Sequence, residues 1–287
     1  MGQFSVVLVI KNHSHDNATD NFERFATIGM VTYEKYLDAA SVKDFFIVTP
    51  SDEQKQLSDM LTKKWPSWPW KFVSEDKLLD KNISVGWARQ QTAKLAVSML
   101  VTTDHYLIID DDTYLTRPFR YADMFDSDGK IIMNKTIIDF PFFFLWSNQV
   151  LKYDFDKVQS QDYHMAITPE IFVTQEVRGL VRFLVTTYGD SKQWQRFLAD
   201  HKYTEYCLYW IWLIQQDKHK TLYAVSDEKS LYGCDTTSAS QDLSRNVAAS
   251  FDPTANHYFS FVQTSIGYPI ETIRNLVLSR LTADGDI

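Results

Sequence analysis

Tyr106-Leu107-Ile108-Ile109-Asp110-Asp111-Asp112-Thr113 is the stretch on which the reading of this chain turns. Its apolar, β-branched-rich first half reads as a buried strand. The three carboxylates that follow cannot enter a core unpaired, because an uncompensated buried charge costs several kcal/mol or more. They belong at the strand's exit, which is where open α/β sheets place their ligand crevice. Clustered carboxylate oxygens suit a hard divalent cation, Mg²⁺ or Mn²⁺, that would in turn hold phosphate oxygens. A solvated acidic turn would read the same way over so short a span, so the surrounding sequence has to decide.

Working outward, the first half of the chain alternates strand and helix signals. Strands are expected at Phe4–Ile10, Asp44–Val48 and Trp70–Val73, with helices over Asn21–Leu37 and Asp52–Thr62. Ser84 suits the N-cap of a helix from about Val85 to Leu100, in which Ala88, Thr92, Leu95, Ala96, Met99 and Leu100 form one buried stripe. A βαβαβ order of this kind implies an α/β fold with a mostly parallel, doubly wound sheet. The second half is less regular and richer in helix. Lys130–Met133 reads as a strand, and Pro141–Trp146 as a core strand or substrate wall. Pro169 suits the first turn of a helix towards Tyr188, followed by helices near Ser191–Ala199 and Thr204–Gln216. Tyr258–Val262 reads as a late strand and Ile270–Leu281 as a last helix. With no repeat or linker in sight, residues 1–287 are expected to form a single domain. About 1–120 would make one half and 121–287 the other.

Composition narrows the function. The chain has 287 residues, 45% hydrophobic and 23% charged, which is globular rather than disordered. Its formal charge of −8 excludes a general nucleic-acid binder, which needs a basic surface. No apolar run is long enough for a transmembrane helix, and Met1–Ile10 has no basic n-region or cleavage signature, so neither a spanning segment nor a signal peptide is expected. Cys207 and Cys234 alone make neither a disulfide framework nor a metal motif, which points to a reducing, cytoplasmic setting where the sequons at Asn82 and Asn134 carry no meaning. The aromatic content of 15% serves cores, and exposed rings also stack on sugars and nucleobases. Trp65-Pro66-Ser67-Trp68-Pro69-Trp70 suits either a packed loop or a sugar platform.

Upstream of the triplet stands Gly86-Trp87-Ala88-Arg89-Gln90-Gln91-Thr92-Ala93-Lys94-Leu95. Gln91 and Lys94 lie on one helix face, and Arg89, Gln90 and Lys94 are donors suited to phosphates and hydroxyls. A solvated helix face is the plain alternative.

Taken in order, G-W-x-R-Q-Q-x-x-K-L, the Asp110–Asp112 triplet, Thr204-Glu205-Tyr206 and His257-Tyr258-Phe259 resemble the GT-A class of nucleotide-sugar glycosyltransferases. The similarity is greatest to a bacterial and viral family of predicted glycosyltransferases, and it spans the first strand to about Gln263. The resemblance implies a GT-A-like fold, with a nucleotide-sugar-binding first half and an acceptor-side second half. It implies an enzyme moving a sugar from a nucleotide-diphosphate sugar to a glycan or lipid-linked saccharide, as in polysaccharide biosynthesis. Asp110 and Asp112 would be the D-x-D pair for Mn²⁺ or Mg²⁺, with Asp112 the direct ligand, Asp110 nearer the donor ribose or sugar, and His257 a further metal ligand. The middle residue, Asp111, would tolerate substitution better. Lys11, Asn12 and Asp16 would read the nucleoside, while Arg89, Gln90, Gln91 and Lys94 would contact the donor. Glu205 would be the base of an inverting reaction, with Asp200 and Asp139 in reserve. His164 and Tyr206 would line the acceptor side. Peripheral membrane contact fits a lipid-linked acceptor.

Two other functions compete. A sugar-phosphate nucleotidyltransferase would open with a Gly-rich loop after the first strand, where this chain has Lys11-Asn12-His13-Ser14-His15-Asp16. A non-catalytic carbohydrate-binding protein would use the aromatics alone. A haloacid-dehalogenase-type phosphatase fails because Tyr114 stands where that motif needs Thr or Val.

Overall fold

Phe4-Ser5-Val6-Val7-Leu8-Val9 is apolar at nearly every position, which fits a strand covered on both faces rather than on one. In a computed structural model of the protein this segment is buried at every residue. The structure describes residues 2–12, 20–83, 86–134, 141–153, 165, 167–189, 192–226 and 228–283. Its strands are β1 (Phe4–Val9), β2 (Val42–Thr49), β3 (Trp70–Ser74), β4 (His105–Ile109), β5 (Thr113–Leu115), β6 (Ile131–Met133), β7 (Glu170–Val173), β8 (Tyr223–Val225), β9 (Ser230–Tyr232) and β10 (His257–Phe261).

The main sheet runs β3-β2-β1-β4-β7. β1, β2, β3 and β4 are parallel, and β7 closes the β4 side in the antiparallel sense. The chain steps outward from β1 to β3, then returns across the sheet to lay β4 on the other side of β1. Strand order therefore reverses between β1 and β4, and a crevice opens at their carboxyl ends. The register pairs Leu8 with Ile109, so Lys11 and the acidic triplet leave the sheet side by side. A second sheet sets β10 between β5, antiparallel, and β9, parallel. Because β5 follows the triplet directly, the acidic turn joins the two sheets, and Val262 N donates to Asp112 O at 3.3 Å.

The expected Asn21–Leu37 helix is present with a widened middle: α-helix at Asn21–Arg24, a π-turn at Phe25–Gly29, and α-helix again at Met30–Tyr36. The widening sits where the helix meets β5. A Cβ on Gly29 would lie 3.2 Å from the Thr113 carbonyl oxygen, so a larger residue would have to push the two apart by a few tenths of an ångström. Tyr33 then donates its hydroxyl to that carbonyl at 3.1 Å. The Ser84 cap lies outside the described residues, and the helix it would open runs only from Gly86 to Ala96, so Met99 and Leu100, expected in its buried stripe, lie past its end and are exposed.

Two expectations are corrected. Pro141–Trp146 is not a strand but the start of a helix, Pro141–Leu151, which packs on the Glu205–Gln215 helix. Proline is tolerated in a first helical turn, and a continuous apolar run does not separate buried helix from buried strand. Pro169 does not open a helix: Glu170–Val173 first pairs with the free edge of β4, and the helix begins at Thr174. Edge pairing outweighs the local signal there.

Buried side chains from both halves of the chain join one hydrophobic core. Phe45 on β2 contacts Phe25, Trp68 and Trp70 at ring-centroid distances of 6.2, 5.9 and 4.9 Å, which resolves the tryptophan-proline loop as packing. Fully burying one such ring contributes about 1.5–3 kcal/mol. Among the described residues no helix is long and apolar enough to cross a membrane.

Candidate functional site

A cleft of about 570 Å³ opens at the switch point between β1 and β4. Val9, Ile10 and Lys11 leave β1 along one wall, and Asp110, Asp111 and Asp112 leave β4 beside them. Gly86, Trp87 and Gln90 contribute the start of a helix, Asn21 and Glu75 complete that side, and Gln263, Thr264 and Ser265 close the cleft from beyond β10.

Asp110 is held from behind. Its Oδ1 lies 2.8 Å from Lys94 Nζ and accepts a long bond, 3.4 Å, from Gln90 Nε2; its Oδ2 accepts from Thr168 Oγ1 at 2.6 Å. Lys94 is itself sealed in the core, with its second ion-pair contact, 2.9 Å, to the fully buried Glu205 and a hydrogen bond of 3.2 Å to Tyr206 OH. Burial pulls the lysine pKa down, but Asp110 and Glu205 outweigh it and hold the ammonium's pKa well above the ordinary value. Burial raises the pKa of Glu205, and Lys94 offsets part of that rise.

Asp111 and Asp112 face a second cation. Arg24, almost wholly buried, donates to Val262 O at 3.2 Å and Thr264 Oγ1 at 2.9 Å. Thr264 in turn donates its backbone N–H to Asp112 Oδ2 at 3.2 Å. Burial and the neighbouring Asp110 push Asp112 up to about 6, and Arg24 restrains the rise. Burial and the charge of Asp112 push Asp111 up to about 8, with Arg24 again opposing. Asp111 Oδ2 is buried and has no hydrogen-bond partner among the described residues. Crowded carboxylates that resist ionisation, one of them with an orphaned oxygen, suit a hard divalent cation. Among the described residues, however, no three His, Cys, Asp or Glu side chains converge as a ready-made metal centre. A cation here would need oxygens from its ligand as well.

Of the residues picked out in the sequence, Lys11, Gln90, Asp110 and Asp112 come together at the cleft. Others are corrected. Arg89 turns to the side, paired with Glu75 at 2.8 Å and donating to Asp80 O and Ile83 O. Gln91 is buried and accepts from Glu205 N at 3.3 Å. Lys94 supports Asp110 from the core rather than reaching the cleft. Glu205 is fully buried and Tyr206 nearly so, its hydroxyl 2.6 Å from Thr168 Oγ1, so neither a base at Glu205 nor an acceptor contact at Tyr206 is in place. The inverting expectation is left without the base it named, Glu205. His257 opens β10, four residues before Phe261, the partner of Thr113. At about 3.4 Å per residue it stands roughly 14 Å along the strand from the triplet. Burial and Arg117 lower its pKa to about 4, so its imidazole is neutral, and its Nε2 is buried without a hydrogen-bond partner among the described residues. Asp111, expected to be permissive, is a half-buried part of the cluster. Asp200 caps the Gln193–Ala199 helix, away from the cleft-lining set. Asp16, Asp139 and His164 lie outside the described residues.

Arg24, Thr168 and Thr264 were not singled out. Arg24 left a signal: a charge among Phe22, Phe25, Ala26 and Ile28 on a helix must either face water or meet a partner. Thr168 and Thr264 reach their aspartates from distant parts of the chain and leave no local pattern.

The chain belongs to the family of unknown function DUF6492, whose profile matches residues 1–283. No curated protein matches it significantly. Among solved structures it is similar to mouse xyloside xylosyltransferase 1 in its apo form, with 13% identity, a TM-score of 0.50, and coverage of 94% of this chain and 100% of that one. The apo structure of the WbbM bifunctional glycosyltransferase aligns with 12% identity and a TM-score of 0.49, over 91% of this chain and 45% of that one. The xylosyltransferase likeness extends to the fold, a mostly parallel α/β sheet flanked by helices, as expected.

Proposed function

We propose that this DUF6492 protein is a glycosyltransferase that moves a sugar from a nucleotide-diphosphate sugar to a hydroxyl of a glycan or lipid-linked saccharide, with Mn²⁺ or Mg²⁺ as cofactor. The observation that carries the reading is the placement of Asp110 and Asp112 beside Lys11 at the switch-point cleft. The solved structure it resembles bears the name of a xylosyltransferase and shares the fold over its whole length.

Asp112 is the residue to hold the cation, since its Oδ2 is engaged by Thr264 while its side chain lines the cleft. The metal would supply charge neutralisation for the leaving diphosphate. Asp110, locked by Lys94 and Thr168, presents a fixed carboxylate edge for a hydroxyl of the donor. Lys11 and the first turn of the helix opening at Gly86 add positive potential where phosphates would lie. The same fixed donors and dipoles stabilise charge as it develops on the leaving group.

The test is a thermal-shift screen of UDP-, GDP- and TDP-sugars with and without Mn²⁺. A donor at a hundred times its Kd adds about 2.7 kcal/mol to stability, or roughly 5 °C or more in Tm. Asp112→Asn should abolish the metal-dependent part of the shift while leaving the fold intact, because an amide oxygen still accepts from Thr264. A silent screen in the wild type would sink the proposal. A response to nucleoside triphosphate with sugar phosphate, and to no nucleotide sugar, would favour the nucleotidyltransferase.

A further inference from the structure

Among the described residues every Trp and Phe ring is buried or half-buried except two, Trp87 and Phe142, at 38% and 39% exposure. They belong to one surface. Trp87 stacks on Phe143 with ring centroids 5.7 Å apart and planes at 29°, and Phe143 meets Phe142 at 4.3 Å and 46°. Trp87 also lines the cleft that holds Asp110 and Asp112, so the aromatic surface continues outward from the cleft. Leu145, 42% exposed, extends it by one turn of the Pro141–Leu151 helix. Apolar surface exposed beside a polar cleft is a feature of ligand-binding grooves, among other contact surfaces.

Resting on the transferase reading, we infer that the Trp87–Phe143–Phe142 step is an acceptor subsite, where a saccharide unit of the acceptor stacks on the rings. A pyranose presents a C–H face that packs on an aromatic ring and a rim of hydroxyls that needs polar partners. Gln90 and Glu75 on the adjoining cleft wall are such partners. A membrane surface is the less favoured occupant. The helix reads Pro-Phe-Phe-Phe-Leu-Trp-Ser-Asn-Gln-Val-Leu, without a Lys or Arg, on a chain of net charge −8. Interfacial helices that seat on anionic lipid carry basic residues on their polar side.

The experiment uses the full chain. Binding to a glycan array of common α- and β-linked hexose, hexosamine and pentose oligosaccharides is followed by calorimetry on the strongest glycan. Wild type, Trp87→Ala, Trp87→Phe and Phe142→Ala are compared, with folding checked by circular dichroism and Tm. Trp87→Ala and Phe142→Ala should each weaken glycan binding tenfold or more, and Trp87→Phe should retain most of it. Donor binding is read on the same wild-type sample. Donor binding without glycan binding overturns the subsite and leaves the transferase standing. Glycan binding without donor binding keeps the subsite and removes the transferase. Glycan binding that both alanine variants retain within twofold overturns the inference. So does flotation with phosphatidylglycerol vesicles that is lost in Phe142→Ala while glycans go unbound.

Discussion

Lys94→Met is the most informative single perturbation, because one buried ammonium serves two carboxylates. Its Nζ lies 2.8 Å from Asp110 and 2.9 Å from Glu205. At an effective dielectric of about 20, each contact represents roughly 6 kcal/mol of Coulomb attraction, most of it offset by desolvation of the ions. What matters is the state left behind. Methionine fills the volume but leaves Glu205, with no exposed surface, as an uncompensated buried charge. Breaking a buried pair from one side costs about 3–5 kcal/mol. At about 2–4 °C per kcal/mol, that lowers Tm by roughly 6–20 °C. Glu205→Gln alone should cost under about 1 kcal/mol, since Lys94 keeps Asp110 and the remaining pair is neutral. In the double variant the orphaned carboxylate is gone, so roughly 2 kcal/mol should return, within the usual range for residues in contact. Without its lysine, the folded-state pKa of Glu205 lies further above the unfolded value. The carboxyl can then stay protonated at low pH, so the loss should be smallest there and grow as pH rises. Thermal and urea unfolding of the four proteins at several pH values form the assay. A single variant within about 1 kcal/mol of wild type, or a double variant no more stable than the single, would refute the reasoning.

Two further outcomes are expected. Glu170 is fully buried on β7, both carboxyl oxygens lack hydrogen-bond partners among the described residues, and burial holds its pKa well above the usual range. A raised folded-state pKa means stability is lost as pH rises, so wild type should lose up to about 1.4 kcal/mol per pH unit above pH ~4.5 relative to Glu170→Gln; parallel pH–stability profiles would contradict this. Asp111, pushed up to about 8, holds a proton at pH 7 that a bound cation displaces, whereas Asp112, at about 6, is mostly ionised there, so Mn²⁺ binding at pH 7 should release up to about one proton. Calorimetry in two buffers of different ionisation enthalpy would show this, and a buffer-independent heat of Mn²⁺ binding would exclude Asp111 from the site.

The parts of the fold that were legible in the sequence are those whose signal is local. The largely apolar Phe4–Val9 run, the Val42–Thr49 segment and the strand before the triplet each show a buried parallel strand within a few residues. The switch-point position of the carboxylates follows from their order. Side-chain direction was not legible. Gln90, Gln91 and Lys94 share a short stretch of helix, yet Gln90 lines the cleft while Gln91 and Lys94 face inward. A polar residue on a helix reads as solvent-facing unless a partner from elsewhere is known, and here the partners are Asp110 and Glu205, the latter more than a hundred residues away. Pro141–Trp146 and Pro169 failed for a related reason: the helix against Glu205–Gln215 and the edge of β4 are set by tertiary packing. His257 matched a motif position, but the strand register alone decided where it stands.

The charge balance explains why this arrangement is a poor core and a good site. Asp110, Asp111, Asp112 and Glu205 lie around two buried cations, Lys94 and Arg24. Were the cluster purely structural, hydrophobic residues of similar volume would fill the same space at no loss, and often with a gain, in stability. Instead the cations are divided: Lys94 is spent on Asp110 and Glu205, which fixes Asp110 rigidly, while Arg24 opposes but does not cancel the raised pKa values of Asp111 and Asp112. Rigidity therefore sits at one end of the triplet and unmet charge at the other, and only the second end has anything to gain from an added cation. The middle residue belongs to the second end, so Asp111, treated by a D-x-D reading as a spacer, is part of the carboxylate cluster that an added cation would ionise.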